Sequence, residues 1–338
     1  MPHTSHDKSR PSIAVVTGGS AGVGRATARE FAARGCNVAV LARNAARLEA
    51  TAEELRHHGV RALPVVADVA DAAAVEAAAE RVEQELGPID VWVNNAMATI
   101  FAPFDRVTPE EFRRGTEVTY LGQVHGTMTA LSRMRQRDRG TIVNVGSALA
   151  YRAIPLQSVY CGAKYAVRGF TDSLRTELLH DGCAVRLIMV HLPAVNTPQF
   201  DWALNKTGKR PQPVPPIFQP EVAARGIVDA ALRPRQREVW VGLPTWKAIV
   251  GNKLVPGALD RYLAKAGYSG QLTEEALPSD APVNLFSSPD GDYGAHGRFD
   301  DCAHAVSYEM EVARHRGSIA LGVLGLGVGL AALLRRLR

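Results

Sequence analysis

The stretch Thr17-Gly-Gly-Ser-Ala-Gly-Val-Gly24 decides how this chain folds. It follows a compact apolar run at residues 12–16 and leads into helical patterning at residues 24–33. Gly18, Gly22 and Gly24 permit a tight turn and let a phosphate approach the backbone. The N-terminus of the following helix presents free N–H groups and a partial positive charge. Glycine also makes ordinary turns, so the setting between a strand and a helix carries the reading. In that setting Gly18, Ser20, Gly22, Val23 and Gly24 are candidate cofactor-binding residues for a dinucleotide.

Downstream, apolar runs at 37–41, 60–66, 89–93, 140–145, 185–190 and 238–241 alternate with helical stretches at 45–58, 71–86, 109–137, 157–180 and 221–232. This alternation predicts an α/β doubly wound fold, a parallel sheet with helices on both faces. The run Asp90-Val-Trp-Val93 lacks period-two alternation, as expected for a strand buried on both sides. Residues 205–220, NKTGKRPQPVPPIFQP, break the rhythm and read as neither regular helix nor strand. Such an insert is either a lid or binding loop, or a surface excursion. One or two helices are expected within 243–266, and the Pro-, Gly-, Asp- and Ser-rich stretch 271–301 reads as extended.

Composition narrows the function class. The chain has 338 residues, 46% hydrophobic and 22% charged, which excludes chain-wide disorder and argues against a polytopic membrane protein. The net charge of +5 comes from 39 Lys+Arg against 34 Asp+Glu. Arg314, Arg316, Arg335, Arg336 and Arg338 cluster beside the tail, and basic and aromatic residues are not interleaved, so no nucleic-acid partner is expected. Cys36, Cys161, Cys183 and Cys302 form no C-x-x-C pair, and no His cluster has metal-ligand spacing. A reduced, cytoplasmic domain without a metal follows, with Cys161 read as core. Residues 1–11 are polar and lack the apolar region of a secretory signal, so they are expected to be loose.

The second strand ends at Leu41-Ala42-Arg43. A chain that prefers NAD places a carboxylate near here for the ribose 2′-hydroxyl, which Ala42 cannot supply. Arg43 offers instead a charge-assisted fork for a 2′-phosphate, with Arg25 placed to assist, so NADP(H) is expected over NAD(H). Farther on, Ser147 follows a strand, and Tyr160-Cys-Gly-Ala-Lys164 sets a tyrosine and a lysine on one helix face. A nearby ammonium lowers the pKa of a phenol from about 10. Ser147, Tyr160 and Lys164 together make an acid/base and an oxyanion partner, the equipment a carbonyl needs as hydride arrives.

With these residues in view, the sequence from about 11 to 242 resembles the short-chain dehydrogenase/reductase family. The resemblance rests on Thr17-Gly18…Gly22-x-Gly24, Asp68-Val69, Asn94-Asn95-Ala96, Ser147 and Tyr160-x-x-x-Lys164. It implies a seven-stranded Rossmann sheet and NADP(H)- or NAD(H)-dependent chemistry on a small-molecule carbonyl or alcohol. Asp68 and Val69 would flank the adenine, with Asn94 and Ala96 on the cofactor side. Lys164 would also hold the nicotinamide ribose, and Thr197 the carboxamide. Tyr160 would be the acid in reduction and the base in oxidation. Homo-oligomers built on the two long helices are implied as well.

This sequence departs from the family pattern in several places. Thr119 stands where the family carries a catalytic Asn, and it is retained as a candidate fourth catalytic residue. Met97 replaces a glycine, and the match around Leu192-Pro-Ala-Val-Asn-Thr197 is loose before Val195. His191 reads as a local hydrogen-bonding residue. Phe200, Trp202, Ile217 and Phe218 are equally consistent with an apolar substrate and with plain packing.

The expected organisation is an oxidoreductase domain at 12–266 with a substrate loop at 197–220, an extended polar linker at 267–317 and an apolar segment at 318–338. Residues 318–334 carry no charge and are a candidate membrane anchor. The competing reading is a membrane-associated dinucleotide sensor or scaffold with little turnover, for which Thr119 is the argument.

Overall fold

The computed structural model describes residues 12–233 and 236–314. The strands are β1 (Ile13–Thr17), β2 (Asn37–Ala42), β3 (Ala62–Val66), β4 (Val91–Asn94), β5 (Thr141–Ser147), β6 (Arg186–Leu192) and β7 (Glu238–Trp240). They form one seven-stranded sheet in the order β7-β6-β5-β4-β1-β2-β3, every pair parallel. The helices that cover it are α1 (Gly22–Ala33), α2 (Ala45–Arg56), α3 (Ala72–Glu85), α4 (Pro109–Thr116), α5 (Gly122–Gln136), α6 (Ser158–His180) and α7 (Pro220–Leu232). Two more, α8 (Gly242–Leu254) and α9 (Pro256–Ala266), follow the sheet.

Successive side chains of a strand point to opposite faces, and here both faces are buried. Ile13 and Val15 pack with Val75, Val82, Met134 and Leu178 from α3, α5 and α6. Ala14 and Val16 pack with Phe31, Leu48 and Val222 from α1, α2 and α7. That is why the strand sequences read as continuous apolar runs.

Two expectations are corrected. The helix anticipated at 109–137 is interrupted by a π-helical turn at Glu117–Leu121. The cause is Thr119, which is fully buried and whose hydroxyl both donates to the Ala98 carbonyl (2.8 Å) and accepts from the Ala98 amide (2.9 Å). A side chain anchored so firmly outside its own helix is accommodated by one extra residue in the turn. The insert at 205–220 is also not devoid of strand. Leu204–Asn205 pairs with Ile100–Phe101, Lys209–Pro211 with Leu272–Ala276, and Ile217–Phe218 with Ala194–Val195. These are two-stranded pairs, where each strand is an edge and Pro211 is tolerated.

The stretch read as a polar linker is irregular after Ala276 but packs back on the domain, with Leu285, Ala295 and Ser307 buried. The apolar segment 318–338 lies outside the described residues, as do residues 1–11. Among the described residues no helix is long and apolar enough to cross a membrane.

Candidate active site

The strand order reverses between β1 and β4, and a cleft of about 680 Å³ opens over the C-terminal ends of the strands around that point. The glycine loop forms one side of it. Gly22 lies at φ +55°, and a Cβ on Gly24 would sit 2.1 Å from the Gly18 carbonyl oxygen, so both positions need glycine. Helices α2 and α3 are capped by the side chains of Asn44 and Asp71, whereas α1 starts at Ala21 with no side-chain cap. The Gly22 amide donates to the Gly294 carbonyl (3.0 Å), and a helix N-terminus without a side-chain cap behind a backbone cradle fits the pyrophosphate of a dinucleotide. Gly18, Ser20, Gly22, Val23 and Gly24 all line the cleft, as do Asp68, Val69, Ala96 and Thr197. Met97 lines it too and so is not core filling alone.

Asn94 does not line it. It is the fully buried last residue of β4, accepting from Trp92 Nε1 (2.8 Å) and donating to Thr127 Oγ1 (3.0 Å) and Asn144 Oδ1 (2.8 Å). Its neighbour Asn95 faces the cleft instead and donates to the Thr17 carbonyl (3.0 Å). Thr119, closed on residue 98, does not reach the cleft either.

The adenosine end is built from arginines. Burial alone would lower the pKa of Arg25, but hydrogen bonds and charge from Glu54 and Asp292 outweigh it and hold the group charged. Arg25 is thus fully engaged, and the expectation that it assists with a 2′-phosphate is corrected. Arg43 lines the cleft and donates to the backbone oxygens of Asn284 (2.6 Å) and Phe286 (3.0 Å). Arg47, which sequence reasoning missed, is 3% exposed and also lines the cleft. It donates to Ser288 Oγ and the Pro289 carbonyl, and its Nε has no partner among the described residues. Burial pushes the pKa of both Arg43 and Arg47 down. Unlike Arg25, neither forms an ion pair among the described residues.

At the other end, Ser147, Tyr160 and Lys164 converge on the cleft. Burial pushes the Tyr160 phenol well above its ordinary range, and a hydrogen bond with Ser147 pulls it only partly back. This corrects the expectation that Lys164 lowers it. The Lys164 Nζ lies 5.5 Å from the Tyr160 ring centre and donates to the Val145 carbonyl (2.6 Å). Burial brings Lys164 itself down to about 7. His191 is fully buried behind Ser147, its Nδ1 3.1 Å from the Ser147 carbonyl oxygen, and burial pushes it down to about 4.

A second missed residue is Gln123, 1% exposed and one turn beyond Thr119. Its Nε2 donates to the same Val145 carbonyl (3.1 Å) as Lys164, and its Oε1 is buried without a partner among the described residues. The signal in the sequence was a polar amide one turn beyond Thr119 on the same helix.

The depressed Lys164 pKa has a measurable effect on stability. The unfolded chain keeps the ordinary lysine pKa of about 10.4, so between pH 7 and 10 it binds more protons than the folded one. The burial penalty is therefore largest below pH 7 and fades as pH rises. Lys164→Met is expected to gain stability over the parent in urea unfolding. That gain should be larger at pH 6.5 than at pH 9.5 by about 3 kcal/mol, at 1.36 kcal/mol per pKa unit. A pH-independent gain would contradict the assignment.

Comparisons with known proteins agree with this geometry. The sequence profile described as short chain dehydrogenase matches residues 12–207. The uncharacterized oxidoreductase YxnA of Bacillus subtilis (strain 168) is 33% identical over 293 residues, 86% of this chain and 81% of that protein. The uncharacterized oxidoreductase Rv1543 of Mycobacterium tuberculosis (strain ATCC 25618 / H37Rv) is 30% identical over 271 residues, 77% of this chain and 75% of that one. The solved alcohol dehydrogenase from the archaeon Thermococcus sibiricus, complexed with 5-hydroxy-NADP, is 28% identical with a TM-score of 0.60, covering 68% of this chain and 96% of that one. A short chain dehydrogenase/reductase from Burkholderia phymatum, in complex with NAD, shares the fold at 21% identity and a TM-score of 0.65, covering 75% of this chain and 95% of that one.

Proposed function

The chain belongs to the short-chain dehydrogenase family of nicotinamide-dinucleotide oxidoreductases, and within it we propose an NADP(H)-dependent enzyme that interconverts an apolar carbonyl compound and its alcohol. The observation that carries this reading is one cleft lined at one end by the glycine loop and at the other by Ser147, Tyr160 and Lys164. The preference for NADP(H) rests on Arg43 and Arg47, two guanidinium groups that face the cleft and form no ion pair among the described residues, with Asp68 and Asp292 acting on them only at longer range. Buried charge of that kind calls for an anion, and a 2′-phosphate is one.

When bound, the nicotinamide supplies or accepts hydride at the substrate carbon. The protein's part is to hold the substrate oxygen and move a proton. Tyr160, protonated at neutral pH, donates to the carbonyl oxygen in the reductive direction. The Ser147 hydroxyl donates a hydrogen bond to the same oxygen as negative charge develops. Lys164, brought down to about 7 by burial, can pass a proton onward, and Gln123 steadies the Val145 carbonyl that holds it. In this reading Gln123, rather than Thr119, supplies the polar support for Lys164. Thr197 would hold the carboxamide of the cofactor, and Asp68 and Val69 its adenine.

The substrate end is apolar. Leu149 and Ile154 line it from beyond β5, Val214 from the insert, and Leu259, Tyr262 and Leu263 from α9. Phe200 and Trp202 also line the cleft, whereas Ile217 and Phe218 are packing residues only. The test is NADPH oxidation against a panel of aliphatic, aromatic and steroid carbonyls. Turnover on the larger apolar members supports the reading. Tight binding of NADPH with no turnover on any of them would favour a sensor or scaffold.

A further inference from the structure

A segment that the sequence marked only as a linker lines the cleft at Asn284 and Ser288 and then runs past the glycine loop to the loop that carries Thr197. At the adenosine end, the Asn284 side chain accepts from Arg43 (2.7 Å), and Ser288 accepts from Arg47; both Asn284 and Ser288 line the cleft. At the glycine loop, Asp292 forms an ion pair with Arg25 of α1, and the Gly294 carbonyl accepts from the Gly22 amide (3.0 Å). Beyond it, Ala295 is buried between Ala26 of α1 and Ala224 of α7. At the Thr197 end, the Gly297 amide donates to the Asn196 carbonyl (3.4 Å), and a Cβ on Gly297 would come within 2.6 Å of the Thr197 oxygen. Asn196 in turn accepts from the Phe299 amide (3.1 Å) and donates to Asp300 (2.8 Å).

These attachments share a pattern. Apart from Ala295, each joins the segment to a residue that lines the cleft or immediately adjoins one that does, through hydrogen bonds or an ion pair. Leu285 and Ala295 are buried, and the Tyr293 and Phe299 rings meet Trp202 (4.6 Å between centroids) and Phe200 (5.9 Å), while Phe286 is 57% exposed and Asp292 is 47% exposed in its side chain. Contacts that are mostly polar and partly wet open at a lower free-energy cost than a core interface does. A dinucleotide seated on the glycine loop would lie beneath this segment.

We propose that residues 284–300 are the outer wall of the cofactor site. Asn284 and Ser288 complete the adenosine-phosphate pocket beside Arg43 and Arg47. The Arg25–Asp292 pair latches the wall, and the dinucleotide enters and leaves only when that latch parts. This rests on the nicotinamide-dinucleotide reading above. A latch has a kinetic signature that an ordinary contact lacks. Loosening it speeds entry and exit together and leaves the dissociation constant nearly unchanged, whereas removing a ligand contact speeds exit alone.

The experiment is stopped-flow fluorescence of NADPH association and displacement on the full chain, for the parent protein and for Asp292→Ala. The expected result is that both rates rise about tenfold and the dissociation constant stays within about threefold. Hydrogen exchange on the unaltered protein gives a second measurement that no misfolded variant can compromise. NADPH should protect the amides of residues 286–298. Unchanged rates in the variant, or unchanged exchange in this segment, would overturn the wall while leaving NADPH binding itself established. Absence of NADPH and NADH binding to the parent protein would overturn the underlying reading and this inference with it.

Discussion

Tyr160→Phe is expected to lower kcat by about 10³-fold while NADPH affinity stays within about threefold, since proton transfer by a positioned acid contributes 10²–10⁴-fold. The change deletes one oxygen and leaves the ring against Lys164. Burial pushes the phenol above its ordinary range, and even an ordinary phenol, with a pKa of about 10, is protonated at neutral pH and so a donor rather than a base. Reduction should therefore be the direction that runs well near neutrality, and oxidation should gain as pH rises. Steady-state kinetics with fluorescence titration of NADPH separates the two effects. A kcat within tenfold of the parent would remove Tyr160 from the chemistry. A loss confined to NADPH affinity would make it a binding residue.

Arg43→Asp is expected to weaken NADPH by about 10–100-fold relative to NADH, because a hydrogen bond to a charged group is worth about 1.5–3 kcal/mol and the new carboxylate repels a phosphate. Arg47→Ala should move selectivity in the same direction by a smaller factor. Both arginines also hold the segment at 284–289, so neither change is read from NADPH alone. The ratio of the two dissociation constants in one variant cancels any loosening of that segment, since it affects both nucleotides alike. Isothermal titration of each nucleotide into each variant measures that ratio. An unchanged ratio would remove the 2′-phosphate from this end of the cleft.

The sheet was legible because its physics is local. A strand such as Ile13–Thr17, buried on both faces, must be apolar throughout, and a glycine loop between strand and helix has few other uses. The convergence of Ser147, Tyr160 and Lys164 was legible for the same reason, since a strand end and one helix face place them. What was hidden depends on contacts distant in sequence. The π-helical turn at Thr119 exists because residue 98 accepts and donates there. Arg25 looked free for a phosphate only because Asp292 lies 267 positions away. Asn94 looked like a ligand residue and is instead tied within the core to Trp92, Thr127 and Asn144. The Pro-rich insert found its strand partners at Ile100–Phe101 and Leu272–Ala276, which no local pattern announces.

The electrostatics followed the same division. Tyr160 and Lys164 were correctly paired by spacing, but the sign of the tyrosine shift was not readable from it. Proximity to an ammonium lowers a phenol pKa, and burial raises it. In this cleft burial is the first cause for both groups, and the Lys164 ammonium is turned to the Val145 carbonyl.

The measurement that tests the central claim most directly is transfer of deuterium from NADPH labelled at nicotinamide C4 to an apolar ketone, read by mass spectrometry of the product alcohol. The account predicts deuterium on the carbinol carbon with the parent protein and about 10³-fold less with Tyr160→Phe. NADPH bound by the parent protein with no deuterium in any product of the carbonyl panel would contradict it.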